Sequence, residues 1–220
     1  MGRFFKNNGL TVVLMLLFLG SLIGQWLAGV RFENEELMRH GEEPIGAIAF
    51  LSDPQFLATV FENWESEFLQ MSAYVVLTAF LFQKGSAESE DPDTPSRDGP
   101  LSEMDRNTHA PAAVRKGPVV RWGYAHPLGI ALLILFVASF LLHWLFSTQL
   151  AAEEAGLHGE AAQTYGQYLT SPQLWFESFQ NWQSEFLSTA VLVVLSIWLR
   201  QKDSPESKPV TAPHSKTGTE

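Results

Sequence analysis

The stretch FENWESEFLQ at Phe61–Gln70 returns as FQNWQSEFLS at Phe179–Ser188, and this recurrence constrains the fold more than any other feature. A gapless shift of 118 positions brings Arg3 onto Arg121, Trp26-Leu27 onto Trp144-Leu145 and Glu35-Glu36 onto Glu153-Glu154. It also brings His40-Gly41-Glu42 onto His158-Gly159-Glu160, Pro54-Gln55 onto Pro172-Gln173 and Gln83-Lys84 onto Gln201-Lys202. Over 3–90 against 121–208, roughly 32 of 88 positions are identical, so the chain reads as a tandem duplication.

The duplicated unit carries apolar runs. Gly9–Val30 is interrupted only by Thr11, Ser21 and Gln25, and Leu128–Phe146 only by Ser139 and His143. Runs of ~20 apolar residues at ~1.5 Å rise match a bilayer core of ~30 Å. Shorter runs at Phe68–Phe82 and Phe186–Leu199 predict two return helices. The expected fold is therefore an all-α membrane protein. It has four transmembrane helices from a two-helix unit written twice, in parallel repeats. The expected divisions are a first membrane repeat at 1–84, a linker at 85–118, a second repeat at 119–202 and a tail at 203–220.

Arg3 and Lys6 before an apolar run resemble the start of a signal peptide. The internal twin of that run at 128–146 favours a retained helix instead. Lys and Arg then set the orientation. Of 14, two precede the first run, six lie in 84–122 and four in 200–220, so 2 + 6 + 4 = 12 share one side. The positive-inside rule places both termini and the linker in the cytoplasm. Two repeats of equal topology have their pseudo-twofold axis along the membrane normal, unlike inverted-repeat transporters. The linker and tail are rich in Ser, Asp and Pro and poor in apolar side chains, so both are expected to be disordered.

The chain has no cysteine, which excludes disulfides and thiolate chemistry. It has no basic stripe, so no nucleic-acid partner is expected. Neither HExxH, GxSxG nor a phosphate-binding glycine loop occurs. No cofactor is expected, and no enzymatic activity.

Ser52-Asp53-Pro54 and Thr170-Ser171-Pro172 read as helix starts, a capping residue before Pro at the first helical position. No breaker follows until Gly85 or Pro205, so each return helix is expected to run ~30 residues. At 100° per residue the repeated phrase splits into two faces. Phe61, Trp64 and Phe68, and in the second copy Phe179, Trp182 and Phe186, form an aromatic face. Trp64, Phe68, Trp182 and Phe186 are read as interface anchors at headgroup depth. Asn63, Ser66, Glu67 and Gln70, and then Asn181, Ser184, Glu185 and Ser188, form the polar face. Polarity continues through Tyr74 and Thr189. A carboxylate near hydrocarbon should face a partner or water. Glu67 and Glu185 are read either as solvated headgroup-level residues or as a pair facing the pseudo-axis to hold a cation or proton. Gln25 and His143 occupy equivalent positions near the outer ends of the first helices and could meet the Glu-bearing faces. The second copy has Gln180 and Gln183 where the first has Glu62 and Glu65, so any role of those two acids is not shared. His40-Gly41-Glu42 and His158-Gly159-Glu160 read as turns, or as a zinc site if the outer loops meet.

The FENWESEFLQM phrase, the NNGL that enters the first run, GSAESEDPD after the second and the four-span length together resemble a known family. It comprises small bacterial integral membrane proteins catalogued only as a domain of unknown function. The resemblance spans essentially the whole chain. It implies a bacterial inner membrane and assigns no activity or residue roles. Three classes of function follow. The preferred one is a structural or accessory membrane protein, acting as a homo-oligomer or with a membrane-protein partner. The others are a small oligomeric cation or proton channel using Glu67 and Glu185, and a membrane enzyme.

Overall fold

A computed structural model describes residues 3–94 and 111–219, and every regular element among them is helical. The α-helices are α1 (Arg3–Arg39), α2 (Ala47–Phe50), α3 (Pro54–Thr78), α4 (Gly117–Ala125), α5 (Pro127–Leu157), α6 (Tyr165–Leu169) and α7 (Pro172–Leu195). Two of them, α1 from Phe4 and α5, are long and apolar enough to cross a membrane. Both expose large apolar side chains, such as Leu10, Leu14 and Leu17 on α1 and Leu133, Ile134 and Leu141 on α5, although α5 also has a buried stripe at Leu132, Ser139 and His143. Such surface is costly in water and suits hydrocarbon. By the same measure α3 and α7 do not qualify, because the polar phrase fills much of each helix.

Helix boundaries follow local chemistry. Pro54 and Pro172 open α3 and α7 at the expected positions. Asp53 and Ser171 cap them: Gln55 N–H donates to Asp53 Oδ1 at 2.9 Å, and Leu174 N–H to Ser171 Oγ at 3.3 Å. The His-Gly-Glu triplets stop α1 and α5. Gly41 has φ +77° and Gly159 has φ +68°. Glu42 N–H donates to Leu37 O and Glu160 N–H to Ala155 O, both at 2.8 Å, while Gly41 N–H and Gly159 N–H reach Met38 O and Gly156 O at 3.2 Å. This is the Schellman pattern, in which glycine adopts the left-handed conformation at low steric cost. His40 and His158 turn Nδ1 back onto Glu36 O and Glu154 O.

The return helices end earlier than the expected ~30 residues. Thr78 Oγ1 folds back to Tyr74 O at 2.8 Å, and Ser196 Oγ to Val193 O at 3.0 Å. Arg200 Nη1 then donates to Leu199 O at 2.9 Å, Ile197 O at 3.3 Å and Ser196 O at 3.4 Å. The Ser196 and Arg200 side chains satisfy carbonyls that a longer α7 would have paired. α4 occupies residues from 117, two positions before the expected start of the second repeat at 119. It ends at Ala125, because His126 precedes Pro127 and a residue before proline disfavours the helical conformation.

The described residues form two units. The first comprises 1–60 and 142–165. Here Phe50 is buried against Phe56, with ring centroids 5.5 Å apart. Trp26 Nε1–H donates to Ala47 O at 2.7 Å, and Trp144 Nε1–H to Tyr165 O at 3.0 Å. Asn34 clamps Ile45 from both sides of its amide: Nδ2–H donates to Ile45 O, and Ile45 N–H to Oδ1.

The second unit comprises 61–141 and 166–220. It contains two similar hooks. Gln83 N–H donates to Ser89 Oγ and Gln201 N–H to Ser207 Oγ, both at 2.9 Å. Glu88 N–H donates to Ser86 Oγ at 3.1 Å, and Glu206 N–H to Ser204 Oγ at 3.2 Å. Tyr74 Oη donates to Glu88 Oε2 at 2.6 Å, tying the first hook to α3. The tail differs from the disorder expected for 203–220: it follows turns, and Lys208 and Thr217 within it are buried. The first part of the linker, 85–94, likewise has defined hydrogen bonds, whereas 95–110 lies outside the described residues.

Candidate functional site

The polar phrase forms a seam between α3 and α7 within the second unit. Asn181 Nδ2–H donates to Glu62 Oε1, Trp182 Nε1–H to Glu65 Oε1 at 2.8 Å, and Gln70 Nε2–H to Thr189 Oγ1. The partners lie 119, 117 and 119 positions apart. A nearly constant difference means that the two helices run parallel. In an antiparallel pair the sum of the two numbers would stay constant instead.

The seam uses some of the expected residues and passes over others. Gln70 and Asn181 take part, and Ser66 is buried, its Oγ–H donating to Asn63 O at 2.8 Å. Ser184 Oγ–H makes the same bond to Asn181 O at 2.8 Å. Asn63 and Glu67 are exposed, Glu185 is half-buried, and Glu67 lies close enough to Glu185 for their charges to interact. Gln25 donates to Thr59 Oγ1 at 3.2 Å, and His143 is fully buried.

The aromatic residues divide in the same way. Trp64 packs edge-on against Phe61 at 5.5 Å, Phe68 is half-buried and Phe186 exposed. Trp182 does not stand at a lipid boundary alone. It is half-buried among Phe136, Trp175 and Phe179 with its indole N–H on Glu65. An indole with a buried acceptor serves packing and polarity together.

Two acids outside the expected set, Glu62 and Glu65, accept the bonds from Asn181 and Trp182. Glu62 and Glu65 were the positions where the copies diverge to Gln180 and Gln183. In a parallel pair, near-equivalent positions meet, so acids in both copies would crowd four carboxylates into one seam. The Glu-to-Gln divergence was the available signal. Among the described residues, no group of three or more His, Asp or Glu is arranged to hold a metal ion.

Asp53 lies outside the seam, half-buried before α3. Burial raises its carboxyl above the ordinary value of 3.8, outweighing the Gln55 N–H that lowers it. The folded state therefore favours the protonated acid. The resulting loss of stability is absent below the ordinary value, grows as pH rises through the raised value and is constant above it. Asp53→Asn keeps the capping oxygen and removes the charge. In thermal melts the variant should be more stable than wild type near neutral pH, with the gap closing below about 3.8. A less stable variant at neutral pH would mean that attraction to the helix N-terminus dominates.

These features define an all-helical protein with two helices able to cross a membrane and a hydrogen-bonded polar seam. The chain belongs to the family described as Domain of unknown function (DUF6766), whose model matches residues 1–219. No curated protein and no solved structure matches it.

Proposed function

We propose that this chain is a non-enzymatic integral membrane protein of structural or accessory type in a bacterial inner membrane. On this reading it crosses the bilayer four times, as a tandem duplication with both termini cytoplasmic. Its partners are the lipid bilayer and either further copies or another membrane protein.

The observation that carries the reading is the seam. Glu62 and Glu65 each engage one carboxylate oxygen, and Gln70 its amide N–H, with Asn181, Trp182 and Thr189, which is how half-polar helices can be held in hydrocarbon as a pair. The duplication is supported by bonds that recur 118 positions apart: Trp26–Ala47 with Trp144–Tyr165, and Gln83–Ser89 with Gln201–Ser207. A parallel α3–α7 pair is what two repeats of equal topology require.

The second reading, an oligomeric cation or proton channel, draws on Glu67 and Glu185, which the seam leaves without a role. Two nearby carboxylates favour a shared proton or a cation. Flux assays on reconstituted vesicles separate the readings. The accessory reading expects wild type to match empty vesicles. Proton or cation flux that disappears in Glu67→Gln/Glu185→Gln would replace it with the channel.

Topology has its own test, since there are no native cysteines. Cysteines at Ser96 and Ser204 should resist an impermeant maleimide in intact cells, while one at Ala161 should react. Labelling of Ser96 from outside would overturn the orientation.

A further inference from the structure

The second hook differs from the first at three positions, Gly85/Asp203, Ala87/Pro205 and Glu90/Lys208, and the last of these reverses a charge. Ser89 Oγ–H donates to Glu90 O at 3.0 Å, and Ser207 Oγ–H to Lys208 O at 3.1 Å, so positions 90 and 208 end hooks of the same geometry. Glu90 is exposed, whereas Lys208 is 1% exposed. Its Nζ donates to four backbone carbonyls: Ile197 at 3.2 Å, His214 at 3.0 Å, Lys216 at 2.9 Å, and Gly85. Those carbonyls belong to the turn just after α7, the tail and the first hook. A buried ammonium is costly unless its protons are all engaged. Here three N–H groups are shared among four acceptors.

The docked tail adds two bonds of its own. Gly85 N–H donates to Thr217 Oγ1, and Gly218 N–H to Ser86 O, both at 2.9 Å. The surface beneath it fits closely. Gly85 has φ +87°, and a Cβ there would lie 3.1 Å from His214 O and 3.2 Å from Ile197 Cγ2. Ser196 Oγ meets Ser86 Oγ at 2.8 Å and accepts from Ala87 N–H at 3.1 Å, joining the hook after α3 to the end of α7.

We propose that residues 209–219 form a latch, held closed by the Lys208 ammonium, that fastens the hook after α3 to the end of α7. Closing it pins the first residues of the linker. Opening it frees the tail from Gly85 and Ser86, leaving the hook tied to the end of α7 through Ser196 alone and the seam further along the helices undisturbed. The latch is independent of the proposed accessory function. It is built into one repeat only, because its central residue is Lys in the second copy and Glu in the first.

Hydrogen exchange on the full chain in detergent tests this. In wild type, the amides of Gly85 and Gly218 should be protected. Lys208→Met keeps an aliphatic stem of similar reach and removes the three donors. It should speed exchange at Gly85 and across 209–219 at least ~10-fold, while the seam amides of α3 and α7 keep their wild-type rates. Thr217→Val, which removes only the acceptor for Gly85 N–H, should release Gly85 selectively and covers the case in which Lys208→Met does not fold. In Lys208→Ala, added methylammonium should restore part of the protection, as a tethered ammonium acting through charge and hydrogen bonds requires. Rapid exchange of Gly85 and Gly218 in wild type, or unchanged exchange in both Lys208→Met and Thr217→Val, would overturn the latch.

Discussion

Glu65→Leu should lower the unfolding midpoint of the purified protein, and Glu65→Gln should lower it much less. Glu65 has no solvent exposure, and Oε1 accepts the indole N–H of Trp182 at 2.8 Å. Leucine fills similar space but leaves that N–H without its acceptor, between helices where water does not replace it. Losing a partner costs more than never having one, about 1–3 kcal/mol for a buried donor left unsatisfied. Glutamine retains a carbonyl oxygen at the same reach, and Gln183 already stands at the equivalent position of the second copy. The companion Trp182→Phe removes the donor. Added to Glu65→Leu, it should recover part of the loss, since no orphaned donor then remains. A double-mutant cycle on denaturant-induced unfolding measures the coupling. Strictly additive losses would show that the bond in the seam contributes nothing beyond packing.

Gly29→Leu should be at least as damaging, for a steric reason. A Cβ at Gly29 would stand 2.8 Å from Phe50 Cε1 and 3.1 Å from Cζ. The ring has no easy retreat: Phe50 is 2% exposed and packs on Phe56. Over-packing of this kind costs about 1–3 kcal/mol. Gly29→Ala should show a smaller version of the loss, and Phe50→Leu in the same chain should relieve it by withdrawing the ring edge. Recovery in Gly29→Ala/Phe50→Leu relative to the sum of the single variants is the expected result. If Gly29→Ala is neutral alone, the close approach of α1 and α2 is adjustable and the glycine is not required there.

Much of the architecture was legible one residue at a time. Pro54 and Pro172 mark helix starts because proline sits without cost where the first N–H has no helical acceptor. Gly41 and Gly159 mark helix stops because a Schellman turn needs a left-handed residue. The long apolar runs within α1 and α5 announce helices that can cross a membrane, since length and hydropathy are local properties. The seam was legible only in part. The polar face of the phrase was visible in its 100° spacing, but which polar atoms meet depends on how α3 turns toward α7, a rotation no local pattern encodes.

What the sequence determined by itself was therefore the inventory: two long apolar helices, the starts of α3 and α7, and the polar faces those two helices carry. Those features arise from φ preferences, capping oxygens and apolar length, all set within a few residues. The tertiary structure alone decided that Glu62 and Glu65 hydrogen-bond to side chains of the opposite helix, whereas Glu67 and Glu185 only approach each other. It also decided where α7 ends, through Ser196 and Arg200 turning back on the last carbonyls. It gave the tail an ordered course as well. Composition measures how much apolar surface a segment can bury, and on that measure the tail should not fold. Its order rests instead on backbone hydrogen bonds and one buried ammonium, whose partners at Gly85 and Ile197 are remote in sequence and meet Lys208 only when the chain has folded.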